Sequence, residues 1–101
     1  MHLVEILLPL CDNERHRFPP ELYTKVREEL VERFGGLTAF TRSPAEGLWQ
    51  EDGERSRDEI VIFEVMAEEL DRGWWRSFRE ELERRFRLDE IVVRAREAER
   101  L

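Results

Sequence analysis

Glu32-Arg33-Phe34-Gly35-Gly36-Leu37-Thr38-Ala39-Phe40 passes from a charged, helix-patterned segment into a short apolar one across a glycine pair. Further along, Arg84-Arg85-Phe86 stands in the same relation to Ile91-Val92-Val93. Two junctions of one kind imply two similar halves, each running from a helix into a strand.

Working outward from the first junction, Leu22, Tyr23, Val26, Leu30 and Phe34 fall within about 120° of one another at 3.6 residues per turn, with Lys25, Glu28 and Glu32 turned away. That spacing predicts a one-sided helix. Phe18-Pro19-Pro20-Glu21 opens it, because proline fixes the first turn and an acid sits near the positive end of the helix dipole. Gly35-Gly36 closes it. Residues 3–10 are aliphatic with Pro9 near their end, and read as a first strand. Residues 37–41 form a second strand. Residues 59–66, EIVIFEVM, form a third with the clearest β-branched content. Residues 71–87 form a second helix and residues 90–95 a fourth strand. Between the second and third strands, Asp52-Gly53 is a strong hairpin signal that folds residues 48–51 back on residues 54–57 as a β-ribbon.

The order is therefore βαββαβ. Right-handed crossovers turn it into a four-stranded antiparallel sheet of spatial order 4-1-3-2 with both helices on one face, the ferredoxin-like arrangement of the α+β class. With 101 residues the chain reads as one domain, 1–101. Apolar and charged residues each make up 41%. A net charge of −7 opposes a polyanionic partner, so no nucleic acid is expected. The N-terminal run ending in Cys11 lacks a basic region, carries Glu5 inside it, and has bulky Leu10 before the cysteine, so it reads as a strand and not a signal. No segment reaches the roughly 18 apolar residues of a membrane span. A lone cysteine cannot form an internal disulfide, which fits a cytoplasmic location.

Two tryptophans stand side by side in the second helix. Its apolar stripe centres on Trp75, Phe78, Leu82 and Phe86, which makes Trp75 the core residue and places Trp74 at the border. Trp74, like Trp49 in the polar ribbon, is a candidate contact for a partner. Along the same helix, Arg76/Glu80, Arg79/Glu83, Glu80/Arg84 and Glu81/Arg85 are spaced i,i+4 and read as a solvated face.

In this topology one sheet face is covered by helices and the other is open. With Val4, Ile6, Leu8, Val61, Phe63, Val65, Ile91 and Val93 facing the helices, the open face receives Leu3, Glu5, Leu7, Ile60, Ile62, Glu64, Met66, Val92, Arg94 and Arg42. Such a face is too apolar for free solvent and marks an interface or a groove. Glu5 is expected to pair with Arg94 and Glu64 with Arg42 across strands. The candidate pocket or interface is accordingly Glu5, Leu7, Arg42, Ile62, Glu64 and Arg94. A second candidate locus lies at the rim where the loops after the first and second strands meet. It gathers Cys11, Asp12, His16, Trp49, Glu51 and Asp52, with Cys11 and His16 as a conceivable nucleophilic pair. The chain has no glycine-rich phosphate loop, nucleophile elbow or spaced Cys/His cluster, so no cofactor and no metal are expected. The first strand lacks the aromatics on which an RNA-recognition domain stacks bases.

The runs FGGLTAFTRSPAEGLWQEDG, DEIVIFEVM, DRGWW and RRFRLDEIVVRA resemble small bacterial proteins of unknown function with a ferredoxin-like fold. The likeness covers residues 34–95 and implies no activity, cofactor or catalytic residue. More loosely, the fold resembles the dimeric α/β-barrel group, in which two such sheets pack face to face and enclose a pocket. The expectation is a non-enzymatic homodimer that joins through its open face, with a small-molecule ligand between the sheets. The alternative is a small isomerase or cofactor-free oxygenase of the dimeric-barrel type using open-face carboxylates.

Overall fold

In chain order the elements are β1 (His2–Pro9), α1 (Pro20–Phe34), β2 (Thr38–Arg42), β3 (Gln50–Glu51), β4 (Glu54–Arg55), β5 (Ile60–Ala67), α2 (Arg72–Phe86) and β6 (Val92–Glu97). They come from a computed structural model that describes residues 1–42, 50–51, 54–55 and 59–101, with backbone alone for 42, 50, 51, 54 and 55. The four longer strands form one antiparallel sheet in the order β2-β5-β1-β6, the expected ferredoxin-like topology. β3 pairs with β4 through Gln50 opposite Arg55 and Glu51 opposite Glu54, as the hairpin signal requires. Trp49, Asp52 and Gly53 lie outside the described residues.

Alternation along β1 decides which face is core. Val4, Ile6 and Leu8 are at most 1% exposed, and their neighbours on the other face are only half-buried. Phe63, Val65 and Ile91 extend this inward face, and Tyr23, Val26, Leu30, Trp75, Phe78, Leu82 and Phe86 cover it from the helices. Each large aliphatic or aromatic side chain so buried contributes about 1.5–3 kcal/mol. An aromatic seam joins the layers. Phe86 meets the rings of Phe18 and Tyr23 edge-on at 5.1 and 5.3 Å, and Phe34 stacks on Trp75 at 5.1 Å.

The two tryptophans divide as their positions on the stripe predict. Trp75 is 5% exposed and belongs to the core. Trp74 is half-buried, stacked on Phe78 at 4.8 Å and covered by the Arg33 guanidinium 4.3 Å from its ring centre.

Helix ends explain where the observed bounds depart from expectation. Asp71 caps α2, its carboxylate accepting from the Trp74 amide at 3.0 Å, so the helix begins one residue later than expected. Gly35 ends α1 in the left-handed conformation at φ 84°, and its amide donates to the Val31 carbonyl. Arg87 does the same for α2 at φ 52°, and the Leu88 amide returns to the Glu83 carbonyl at 3.0 Å. Phe34-Gly35 and Phe86-Arg87 are thus equivalent joints, one with glycine and one without. The fourth strand is shifted two residues from expectation. The Ile91 amide is taken by the Glu83 carboxylate at 2.9 Å, and pairing with β1 continues to Arg96 and Glu97.

The i,i+4 pairs on α2 need one correction. Arg85 is not on a solvated face: its side chain is 15% exposed and reaches across to α1, where both terminal nitrogens donate to Glu29 at 2.8 Å. Its Nε donates to Glu81 at 3.2 Å. The Glu29 bonds above all, with Glu81, hold the Arg85 pKa above its ordinary value.

Candidate functional site

The registers sort the open face into rows. Thr38, Glu64, Glu5 and Arg94 form one row across all four strands, and Phe40, Ile62, Leu7 and Val92 form the next. Met66, Leu3 and Arg96 lie on one side of these, and Ile60 and Arg42 on the other.

This register corrects one expected pair. Arg42 stands opposite Ile60, and Thr38 occupies the place opposite Glu64. Glu64 is approached from the other edge of the sheet by Arg96, whose guanidinium lies 3.9 Å from its carboxylate. Glu5 pairs as expected with Arg94 at 3.5 Å and is also 3.9 Å from Arg96. Ending the fourth strand at Ala95 concealed Arg96. The period of two was the available signal, since Arg94 and Arg96 must share a face once the strand continues.

Glu5 and Glu64 are themselves directly opposite on the two central strands. Their side chains are only 13% and 18% exposed, whereas Arg94 and Arg96 are 56% and 64% exposed. Two carboxylates are therefore set into the sheet beneath two mobile-length, well-hydrated cations. Around them the surface is apolar: Met66 and Val92 are 55% and 47% exposed, Leu7 is half-buried, and Ile62 is buried at 2% between Leu7 and Phe40 in the ladder. Chemically, the centre of the face offers carboxylate acceptors for hydroxyl or amino groups and apolar walls for a flat ring.

At the rim locus the described residues are Cys11, Asp12 and His16, with backbone alone for Glu51. Cys11 bridges Arg17 as the loop closes. Asp12 governs the turn, its carboxylate accepting from the Glu14 and His16 amides at 2.8 and 2.9 Å. The His16 amide above all, with burial opposing and the Glu14 amide assisting, holds the Asp12 pKa below its ordinary value. The His16 ring is 73% exposed and lies 3.5 and 3.6 Å from Asp12 and Glu14. Its ion-pair partners among the described residues are these two carboxylates. Beneath the loop the Tyr23 hydroxyl donates to the Pro9 carbonyl, and burial pushes Tyr23 up to about 12. Among the described residues no group of three or more His, Cys, Asp or Glu could hold a metal ion, and no helix is long and apolar enough to cross a membrane.

No protein-family model and no curated protein matches the chain. Among solved structures, a phage SAM lyase in complex with S-methyl-5'-thioadenosine is similar, with a TM-score of 0.62 at 17% identity over 95% of this chain and 80% of that one. The likeness is one of fold.

Proposed function

We propose that this chain is a small cytoplasmic protein that self-associates through the open sheet face and binds a small molecule against it. The observation that carries the reading is the inset Glu5–Glu64 row flanked by exposed Val92 and Met66. Isolated carboxylates set into an apolar sheet are costly unless something satisfies them, and Arg94 and Arg96 only partly do so from 3.5 to 3.9 Å. A second sheet packed face to face, as in dimeric α/β barrels, covers the apolar rows and encloses the carboxylates in a pocket. That a domain of this shape is known with S-methyl-5'-thioadenosine bound supports a small, ring-bearing ligand with hydroxyl groups. Light scattering should give twice the monomer mass, and Val92→Glu should return it to one. S-methyl-5'-thioadenosine should raise the melting temperature of the parent and not of Glu64→Gln. A monomeric parent insensitive to that compound would refute the proposal.

The second reading is a small enzyme using the same carboxylates, favoured by the fold shared with a lyase and by the apposition of Glu5 and Glu64. Turnover of SAM that disappears in Glu64→Gln while folding is preserved would select it.

A further inference from the structure

On the opposite side of the sheet, cover is lost along β6. The inward-facing residues of this strand and its approach run from Ile91, buried, through Val93, half-buried, to Ala95, exposed. Ala95 pairs with Val4, which is fully inward, so Ala95 is exposed because the helix layer has drawn away from it and not because it points outward. A cleft of 260 Å³ opens there between β6 and the first half of α2, lined by Val4, Val93, Arg94 and Ala95 from the sheet and by Leu70 and Trp75 from the helix side.

The wall that α2 contributes is Arg72, Arg76 and Arg79. At 100° per residue these three lie within about 60° of one another on a single stripe. Among the described residues neither Arg72 nor Arg76 makes an ion pair. Arg79 has one remote carboxylate, Glu80 at 3.9 Å from its Nη2, and its Nε is buried without a hydrogen bond. Elsewhere on the same helix the arginines are paired, Arg84 with Glu81 at 2.7 Å and Arg85 with Glu29 and Glu81. In a chain of net charge −7, three guanidinium groups on one stripe, of which only Arg79 has a carboxylate partner among the described residues, repel one another. An anion held between them relieves that repulsion.

We infer that the cleft between α2 and β6 binds a small organic phosphate, its phosphoryl oxygens held by Arg72, Arg76 and Arg79 and its apolar body lying on Val93, Ala95 and Trp75. Guanidinium groups match phosphate with paired, charge-assisted hydrogen bonds, and three of them suit a dianion better than a carboxylate. The volume accommodates a monoester with one ring. Arg94, the partner of Glu5, also reaches the β6 edge of the cleft, but the arginine stripe on α2 lies apart from the Glu5–Glu64 row and does not depend on that row having a function.

The test is calorimetric titration of the full chain with phenyl phosphate at low ionic strength, with benzoate and benzyl alcohol as controls. Phenyl phosphate should bind at one site per chain and weaken with added salt, and benzyl alcohol should not bind. Arg76→Gln, an exposed position safe for folding, should weaken binding about tenfold or more, and Arg79→Gln should do the same. Glu64→Gln and Val92→Glu should leave it unchanged, which separates this site from the open face. Absence of phenyl phosphate binding, equal affinity for benzoate, or full affinity in Arg76→Gln would each overturn the inference.

Discussion

Glu5 and Glu64 face each other across β1 and β5, and their two nearest cations are not symmetrically shared. Arg94 approaches Glu5 alone, at 3.5 Å, while Arg96 lies 3.9 Å from both carboxylates. Like charges directly opposite on a sheet destabilise by up to about 1 kcal/mol. Glu64→Gln removes the repulsion and one long ion pair, and should raise stability by about 0.2–1 kcal/mol in urea unfolding at concentrations where the chain is monomeric. Glu5→Gln also removes the repulsion but strips Arg94 and Arg96 of their shared partner, and should be neutral or destabilising. The same sign and size for both variants would show that the arginines contribute nothing to the asymmetry.

Trp75→Ala should cost about 3–5 kcal/mol, because a ring 5% exposed and stacked on Phe34 leaves a cavity that α2 and the sheet cannot close. Trp74→Ala removes a half-buried ring and the Arg33 contact, and should cost about 1–2 kcal/mol. Paired denaturant series measure the difference. Equal losses would contradict the division of the stripe.

Arg87 occupies a left-handed joint that Gly35 fills without strain at the end of α1. Arg87→Gly should therefore stabilise the protein by about 0.5–1 kcal/mol. Gly35→Ala should destabilise by a similar amount, although a Cβ there meets nothing within 4 Å, since its cost is in the backbone alone. Thermal unfolding of the two variants should shift in opposite directions.

Tyr23 should make the protein alkali-sensitive. Burial raises its pKa from the ordinary 10.0 to about 12, so the folded state keeps the phenol neutral at a pH where the unfolded chain has already released its proton. Its contribution is complete below pH 10 and is lost as pH climbs from 10 to 12, at most about 2–3 kcal/mol. Tyr23→Phe should lose the hydrogen bond to Pro9, about 1 kcal/mol at neutral pH, and show a flatter stability profile across that alkaline window. An unchanged slope would mean that other groups dominate it.

Much of the architecture was already local. The stripe from Leu22 to Phe34, the glycine pair, the alternation of Val4, Ile6 and Leu8 and the Asp52-Gly53 sequence signal are short-range patterns, and hydrophobic burial on a 3.6 or 2.0 period leaves few other folds for them. Those same patterns placed Glu5 beside Arg94 and Trp75 in the core. What they could not supply was register between distant strands and the distance between layers. The ladder from β2 to β5 set Thr38, not Arg42, opposite Glu64, and the extension of β6 brought in Arg96. Only the spacing between α2 and β6 separated Arg72, Arg76 and Arg79, which line a cleft, from Arg85, which is locked to Glu29. On sequence alone all four are helix-surface arginines at favourable spacings. Which of them finds a carboxylate depends on what the opposite element presents, and that is a property of packing.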